Sequence, residues 1–214
     1  MVVTKFESID LGSNTYLMSQ AKSNRVWLVD LGAFDKVLDT LKPDQMVAGV
    51  LLTHYHYDHI YFINTLIDVF PDCAIYASMH TIEGLYDPRM NLSFYHEDPV
   101  IFRGNPPTVI NDNDEITLFD QVKAYAYATP GHNPGCISYR IQDYFFTGDS
   151  YIPDLDVVTK LKGGSKSESL RSLLKIKNLL SADTIVCPGH GECCDAPHAI
   201  GHIHKLLKIG YDVE

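Results

Sequence analysis

The stretch Leu51-Leu52-Thr53-His54-Tyr55-His56-Tyr57-Asp58-His59 places three histidines and an aspartate within six positions, directly after the apolar run that begins at Val47. That run, Val47-Ala48-Gly49-Val50-Leu51-Leu52, reads as a short strand buried on both faces. On a helix, residues two apart point roughly 200° apart, so His54 and His56 would not share an ion there. On a turn leaving a strand they can. Imidazole nitrogen and carboxylate oxygen both suit zinc at about 2.0–2.2 Å.

The same design recurs three times downstream. Ala128-Thr129-Pro130-Gly131 leads to His132, Phe146-Thr147-Gly148 leads to Asp149, and Cys187-Pro188-Gly189 leads to His190. In these three a glycine directly precedes the ligand-type residue, which permits a sharp turn and close backbone approach. Strand ends on one sheet edge are held relative to each other by the ladder, and so meet the tolerance a metal demands. One zinc takes about four ligands, a catalytic one leaving a position for water. Seven protein ligands exceed one ion and suit two, about 3.5–4 Å apart and sharing a carboxylate.

Thr53-His54-Tyr55-His56-Tyr57-Asp58-His59 resembles the His-x-His-x-Asp-His signature of the metallo-β-lactamase superfamily. The segments ending at His132, Asp149 and His190 are similar to its later motifs, in order, so the resemblance runs from about Leu11 to His190. It implies His54, His56 and His132 on a first metal, Asp58, His59 and His190 on a second, and Asp149 bridging. It implies an α/β (α+β) fold, the four-layer αββα sandwich, with the site at one edge between two mixed sheets. The cofactors would be two divalent ions, zinc first, with iron and manganese also compatible with these donors.

Within the superfamily the chain looks most like glyoxalase II-type (hydroxyacylglutathione hydrolase-type) thioester hydrolases. Thr129 to Tyr139 and Asp87-Pro88-Arg89-Met90-Asn91-Leu92-Ser93 carry that likeness. Asn133 stands where many of them have Thr. Gly191-Glu192-Cys193-Cys194 follows the last histidine, and the helical extension that helps bind glutathione in longer members has no counterpart. The implied reaction is attack of a metal-bound hydroxide on an ester-type carbonyl, most readily a thioester, with Asp58 orienting the hydroxide and taking its proton. Two divalent ions against two carboxylates and one hydroxide leave a positive centre, which favours a small anionic ester or thioester as substrate. Lys160 and Lys162, between the Asp149 turn and Gly163-Gly164, are candidate anion clamps or solvated loop charges. Tyr151 is a candidate oxyanion donor or a packing residue.

Alternatives stay open on this reading. A mononuclear iron persulfide dioxygenase would use His54, His56, His132 and Asp149. A lactonase, or a phosphodiesterase or RNA-processing nuclease of the same superfamily, would differ in the bond cut. A partner protein that merely kept the fold would not need all seven positions intact.

The 214 residues carry 17 Lys and Arg against 27 Asp and Glu, a formal charge of −10. Such a field repels polyphosphates, so no nucleic-acid partner is expected. No run of 18 apolar residues occurs, so no membrane span is expected. Residues 1–20 carry Glu7 and Asp10 and do not read as a signal peptide. Five cysteines, Cys193 and Cys194 adjacent, read as reduced thiols of a cytoplasmic protein rather than a disulfide framework. No composition shift marks a linker, and a single domain over 1–214 is expected.

Periodicity predicts strands over 15–18, 26–29, 47–52, 74–77, 116–119, 122–128, 136–141, 144–146 and 184–187. It predicts helices over 34–41, 60–70, 167–180 and 197–209, and a long excursion over 87–114. Of the other histidines, His198 and His202 have the spacing to share a metal or to face solvent, and His96 lies in the excursion. Tyr86, Phe94, Tyr95 and Phe102 either wall a pocket or pack that excursion.

Overall fold

A computed structural model describes residues 1–211. Contacts group the chain into two compact units, Met1–Ile110 and the segment from Asn111 onward. Each is built on one six-stranded mixed sheet with its own helices.

The first sheet runs in chain order: β1 (Val2–Glu7), β2 (Asn14–Ser19), β3 (Arg25–Val29), β4 (Met46–Leu51), β5 (Ala74–Ala77) and β6 (Thr108–Val109). Its first three strands pair antiparallel and the rest parallel. The helices of this unit are α1 (Phe34–Thr40), α2 (Tyr57–Ile60), α3 (Ile63–Val69) and α4 (Met79–Leu85). Alternation along β3, and along β4 past an irregularity between Val47 and Gly49, sends Val26, Leu28, Val47 and Val50 into a core with Phe34 of α1, Ile60 of α2 and Leu66 of α3. The opposite register, with Trp27, Val29 and Leu51, is equally buried. Burial on both faces is why these strands read as unbroken apolar runs.

The second sheet has the order β12-β11-β10-β9-β8-β7, from β7 (Glu115–Phe119), β8 (Val122–Ala128), β9 (Ile137–Ile141), β10 (Tyr144–Gly148), β11 (Ile185–Pro188) and β12 (Cys194–Asp195). Only β10 and β11 are parallel. Their crossover contains α5 (Lys166–Leu179), and α6 (Ala196–Tyr211) follows β12. Ser165 caps α5 by accepting from the Glu168 N–H at 3.3 Å. Leu173 and Ile176 of α5 pack with Phe145, Val186 and Ile203 of α6. No helix among the described residues is long and apolar enough to cross a membrane.

The sequence expectation of one helix over 60–70 is corrected to two, α2 and α3, separated at Tyr61 and Phe62. The Asp58 carbonyl accepts from Ser13 Oγ at 2.7 Å and the His59 carbonyl from the Leu31 N–H at 2.8 Å. Those are the acceptors that a helix continuing past Tyr61 would use, so it restarts at Ile63. Three elements carried no signal that was recognised. β1 has an alternating, half-exposed pattern, β12 has two residues, and α4 starts at Ser78, whose side chain accepts from the Thr81 N–H at 3.1 Å. The excursion over 87–114 is largely irregular, with a 3₁₀ turn at Ser93–Tyr95 and the short β6. Buried Asn91 organises it, donating to the Gly84 and Val100 carbonyls and accepting from the Ser93 N–H.

Gly49 lies on the Trp27 side of β4, where an added Cβ would come within 2.3 Å of the buried indole ring. Gly49→Val is expected to cost about 1–3 kcal/mol through overpacking, read as a lowered urea midpoint at unchanged slope. An unshifted midpoint would mean that the indole relocates freely.

Candidate metal centre

In the first unit, β4 ends at Leu51 and the chain turns through Thr53 into His54, His56, Asp58 and His59, the last two on α2. His54 and His59 are fully buried and His56 nearly so, while the Asp58 side chain is 27% exposed. The His54 ring centroid lies 4.9 Å from that of His56 and 4.2 Å from that of His59.

One residue unassigned by the sequence reading organises this turn. Asp30, at the end of β3 with φ of 58°, is buried. Its Oδ1 accepts from the Thr53 N–H at 2.8 Å, and its Oδ2 accepts from the Thr53 hydroxyl at 2.7 Å and from His59 Nδ1 at 2.9 Å. The Thr53 proton being committed to Asp30, His54 Nδ1 donates to Thr53 Oγ1 at 3.0 Å. Both rings therefore carry their proton on Nδ1 and present Nε2 as the lone-pair nitrogen. Donor atoms of Asp30, His54 and His59 all lie within 4.8 Å of one another. Asp30 orients His59 directly and His54 through the Thr53 hydroxyl, which makes it the carboxylate behind the histidines.

In the second unit, three turns carry His132, Asp149 and His190. Gly131 has φ of 139°, and a Cβ there would sit 2.4 Å from the Ser169 backbone of α5. The Ser165 N–H donates to the Gly131 carbonyl at 2.8 Å, and Ser172 Oγ donates to that of Pro130 at 2.6 Å. These contacts fix the turn from the α5 side. From the other side the Val158 carbonyl accepts from His132 Nδ1 at 2.8 Å, which again leaves Nε2 as the lone-pair nitrogen. Thr129 Oγ1 lies 2.9 Å from both Ser138 Oγ and Ser150 Oγ, tying this turn to that of Asp149. Gly148 (φ of 50°) precedes Asp149 at a break in β10–β11 register, a bulge that re-aims the strand end. The Gly189 N–H donates to the Gly148 carbonyl at 2.9 Å and joins the Asp149 and His190 turns.

The donor spacings fit metal ligation. Asp149 Oδ2 is 3.5 Å from His132 Nε2 and 3.5 Å from His190 Nε2. In the first unit Asp58 Oδ2 is 3.4 Å from His59 Nε2. These exceed the usual 2.7–3.2 Å of a nitrogen–oxygen hydrogen bond. Donors at 2.0–2.2 Å on one tetrahedral ion stand about 3.3–3.6 Å apart. Mixed nitrogen and oxygen donors, with Nδ1 anchored in three histidines, suit a divalent ion.

Lys160 and Lys162 are exposed in the segment between β10 and α5. Lys160 lines a cavity of about 490 Å³ with Val158, Lys166, Leu170 and Leu173. Tyr151 is buried in the second-unit core, its hydroxyl 3.5 Å from the Ala199 carbonyl and 3.3 Å from His202 Nδ1, and burial pushes its phenol upward so that it stays protonated. The oxyanion-donor reading of Tyr151 thus gives way to packing against α6. His198 Nε2 lies 3.0 Å from both Asp154 oxygens, and His202 Nδ1 accepts from the Asp154 N–H at 3.2 Å. This pair fastens a loop rather than facing one common ion. His96 stacks on Tyr57, centroids 4.1 Å apart. Phe102 is a core residue, whereas Tyr86, Phe94 and Tyr95 are exposed.

Missed by sequence reasoning were Asp30, Thr53 as a relay, and Val158. Asp30 did carry a signal: Val26-Trp27-Leu28-Val29-Asp30 repeats the pattern of apolar strand followed by acid. Asp30→Ala is expected to lower affinity for divalent metal about 10–100-fold, measured by competition with a chromophoric chelator. Unchanged affinity in a folded variant would remove Asp30 from the site.

The metallo-beta-lactamase superfamily model matches residues 9–190. An uncharacterized protein of Mycobacterium tuberculosis is 31% identical over 208 residues, covering 89% of this chain and 91% of that protein. A hydroxyacylglutathione hydrolase of Salmonella typhi is 28% identical over 167 residues, 78% of this chain and 57% of that enzyme's length. The crystal structure of the BLEG-1 B3 metallo-beta-lactamase superposes with a TM-score of 0.85 at 26% identity, over 96% of this chain and 99% of that one. Two mixed sheets with their helices, histidine- and aspartate-bearing turns at the strand ends and a family match over most of the sequence agree: the chain belongs to the metallo-beta-lactamase superfamily.

Proposed function

We propose that this chain is a hydrolase in which His54, His56, Asp58, His59, His132, Asp149 and His190 together ligate a pair of divalent ions, and that it cleaves the thioester of a small anionic substrate. The observation that carries this reading is the donor spacing of 3.4–3.5 Å at Asp58–His59, Asp149–His132 and Asp149–His190. The likeness to a hydroxyacylglutathione hydrolase supports the thioester as the bond cut.

Bound divalent ions supply Lewis acidity toward a substrate carbonyl and lower the pKa of water at neutral pH. The protein's part is positioning and proton transfer. Asp30, Thr53 and the Val158 carbonyl anchor Nδ1 of His59, His54 and His132 and leave Nε2 as the lone-pair nitrogen in each, a preorganisation that lowers the cost of turnover. Asp58 is the more exposed of the two acidic ligands, at 27% for its side chain against 11% for Asp149. That access suits Asp58 to take a proton from water and return it to solvent. The donor set holds only these two carboxylates, so two divalent ions leave the centre positive within a chain of charge −10. An anionic substrate is drawn to it, and Lys160 and Lys162 stand on the same loop as Val158 to meet the anionic end.

Asp58→Asn is expected to lower kcat on a thioester about 10²–10⁴-fold with metal content retained. Metal analysis of the purified protein, followed by thioester, lactone and phosphodiester panels with and without chelator, tests the whole reading. Two divalent ions and chelator-sensitive thioester cleavage are expected. One iron with oxygen uptake would replace hydrolysis by dioxygenation, and normal kcat in metal-loaded Asp58→Asn would free Asp58 from proton transfer.

A further inference from the structure

The last ligand turn, Pro188-Gly189-His190-Gly191-Glu192, is flanked by two cysteines that no metal role uses. Cys187 Sγ and Cys193 Sγ lie 3.8 Å apart. Cys187 is buried at the end of β11, and Cys193 is exposed. The antiparallel register of β11 and β12 pairs Ile185 with Asp195 and Val186 with Cys194. One step further sets Cys187 opposite Cys193. Residues directly opposite on antiparallel strands have Cα atoms about 4.5–5.5 Å apart, inside the 4.4–6.8 Å range a disulfide accepts.

Cys194 is the wrong partner for either. A trans peptide holds the Cα atoms of Cys193 and Cys194 about 3.8 Å apart, below the disulfide range, and alternation turns the Cys194 side chain to the other face of β12. There it is half-buried against the second-unit core, and burial pushes its thiol up to about 11. Cys193 is the solvent-facing thiol and Cys187 the sulfur behind it.

We propose that Cys187 and Cys193 form a reversible redox modification site, an attacking and a resolving thiol for small-molecule disulfides, whose closure strains the turn that carries His190. Cys193 sulfur, as its thiolate, attacks one sulfur of a disulfide R–S–S–R. The Cys193–S–S–R bond forms, and the first R–S⁻ leaves and takes up the proton released by Cys193. Cys187 sulfur then attacks Cys193 Sγ, its proton passing to the second departing R–S⁻. The sum is two protein thiols and one R–S–S–R giving one protein disulfide and two R–SH, with two electrons passing to the small disulfide. Closing the bond brings the sulfurs from 3.8 Å to about 2.05 Å. That approach of about 1.75 Å, shared between the two ends of the turn, far exceeds the ±0.2 Å or so that a metal ligand tolerates. The disulfide step is independent of the proposed activity, whereas its effect on metal rests on His190 being a ligand.

The test uses the metal-loaded full chain and hydroxyethyl disulfide as probe. After treatment, unfolding and alkylation, three of the five cysteines are expected to be alkylated, and peptide mapping is expected to join Cys187 to Cys193. Cys194→Ser should still close the bond, and Cys193→Ser should not. Five alkylated cysteines, a Cys193–Cys194 link, or a stable mixed disulfide left on Cys193 would overturn the site. In the oxidised wild type, chelator should strip metal about tenfold faster, an effect absent in Cys193→Ser. A closed disulfide with an unchanged stripping rate would overturn the coupling to His190 and leave the thiol pair itself standing.

Discussion

The buried carboxylate of Asp30 ties together the ends of two neighbouring parallel strands, β3 and β4, and through them the densest group of ligand-type residues in the chain. It accepts from the Thr53 amide, the Thr53 hydroxyl and His59 Nδ1. A buried carboxylate without such donors would be expensive, and here each donor belongs to the turn that the carboxylate shapes. The same bonds settle the tautomers of His54 and His59 without help from any ion. The turn is thus preorganised by the fold, with the strand ladder setting positions and one acid setting ring orientations. The broken helix after α2 follows from similar crowding, because the Asp58 carbonyl bonds to Ser13, just before β2, and the His59 carbonyl to Leu31, directly after Asp30.

How much could be read beforehand follows from the range of each interaction along the chain. The turns that carry His54 to His59, His132, Asp149 and His190 were legible as turns because each is local: an apolar strand, a turn and a ligand-type residue in sequence. Strands buried on both faces, such as Val26–Val29 and Val47–Leu52, were legible as apolar runs. Asp30 was not assigned because its partners lie 23 and 29 positions away. Val158 was invisible because its bond to the site is made by a backbone carbonyl, 26 positions from His132. The split between α2 and α3 has no signature in the apolar spacing of Ile60, Ile63, Ile67 and Phe70. Its cause is acceptor competition from residues far upstream. β1 and β12 were missed as edge strands, one half-exposed and one two residues long.

The second unit reaches the same end by different means. Hydroxyls of Thr129, Ser138 and Ser150 hold the His132 and Asp149 turns together, and Ser172 with the Ser165 amide holds the first of them to α5. Where the first unit uses one charged acceptor, the second uses a set of neutral groups. Sequence reading finds neither kind of support easily, since Ser and Thr are common and most of these bonds join residues remote along the chain.

The single parallel pair in the second sheet has a consequence for how this chain can vary. Because β10 and β11 lie side by side, in register to Phe146 and Cys187 and paired again at Gly148 and Pro188 after the bulge, the Asp149 and His190 turns emerge together at one edge, whatever length of chain links them. The crossover between them is free to grow or shrink around the fixed points Val158, Ser165 and Ser172 while the Asp149 and His190 turns stay put. Diversity in what relatives accept as substrate would then accumulate in this connection, and a shift of β11 by a single position, which would carry His190 to the other side of the sheet, would be ruinous.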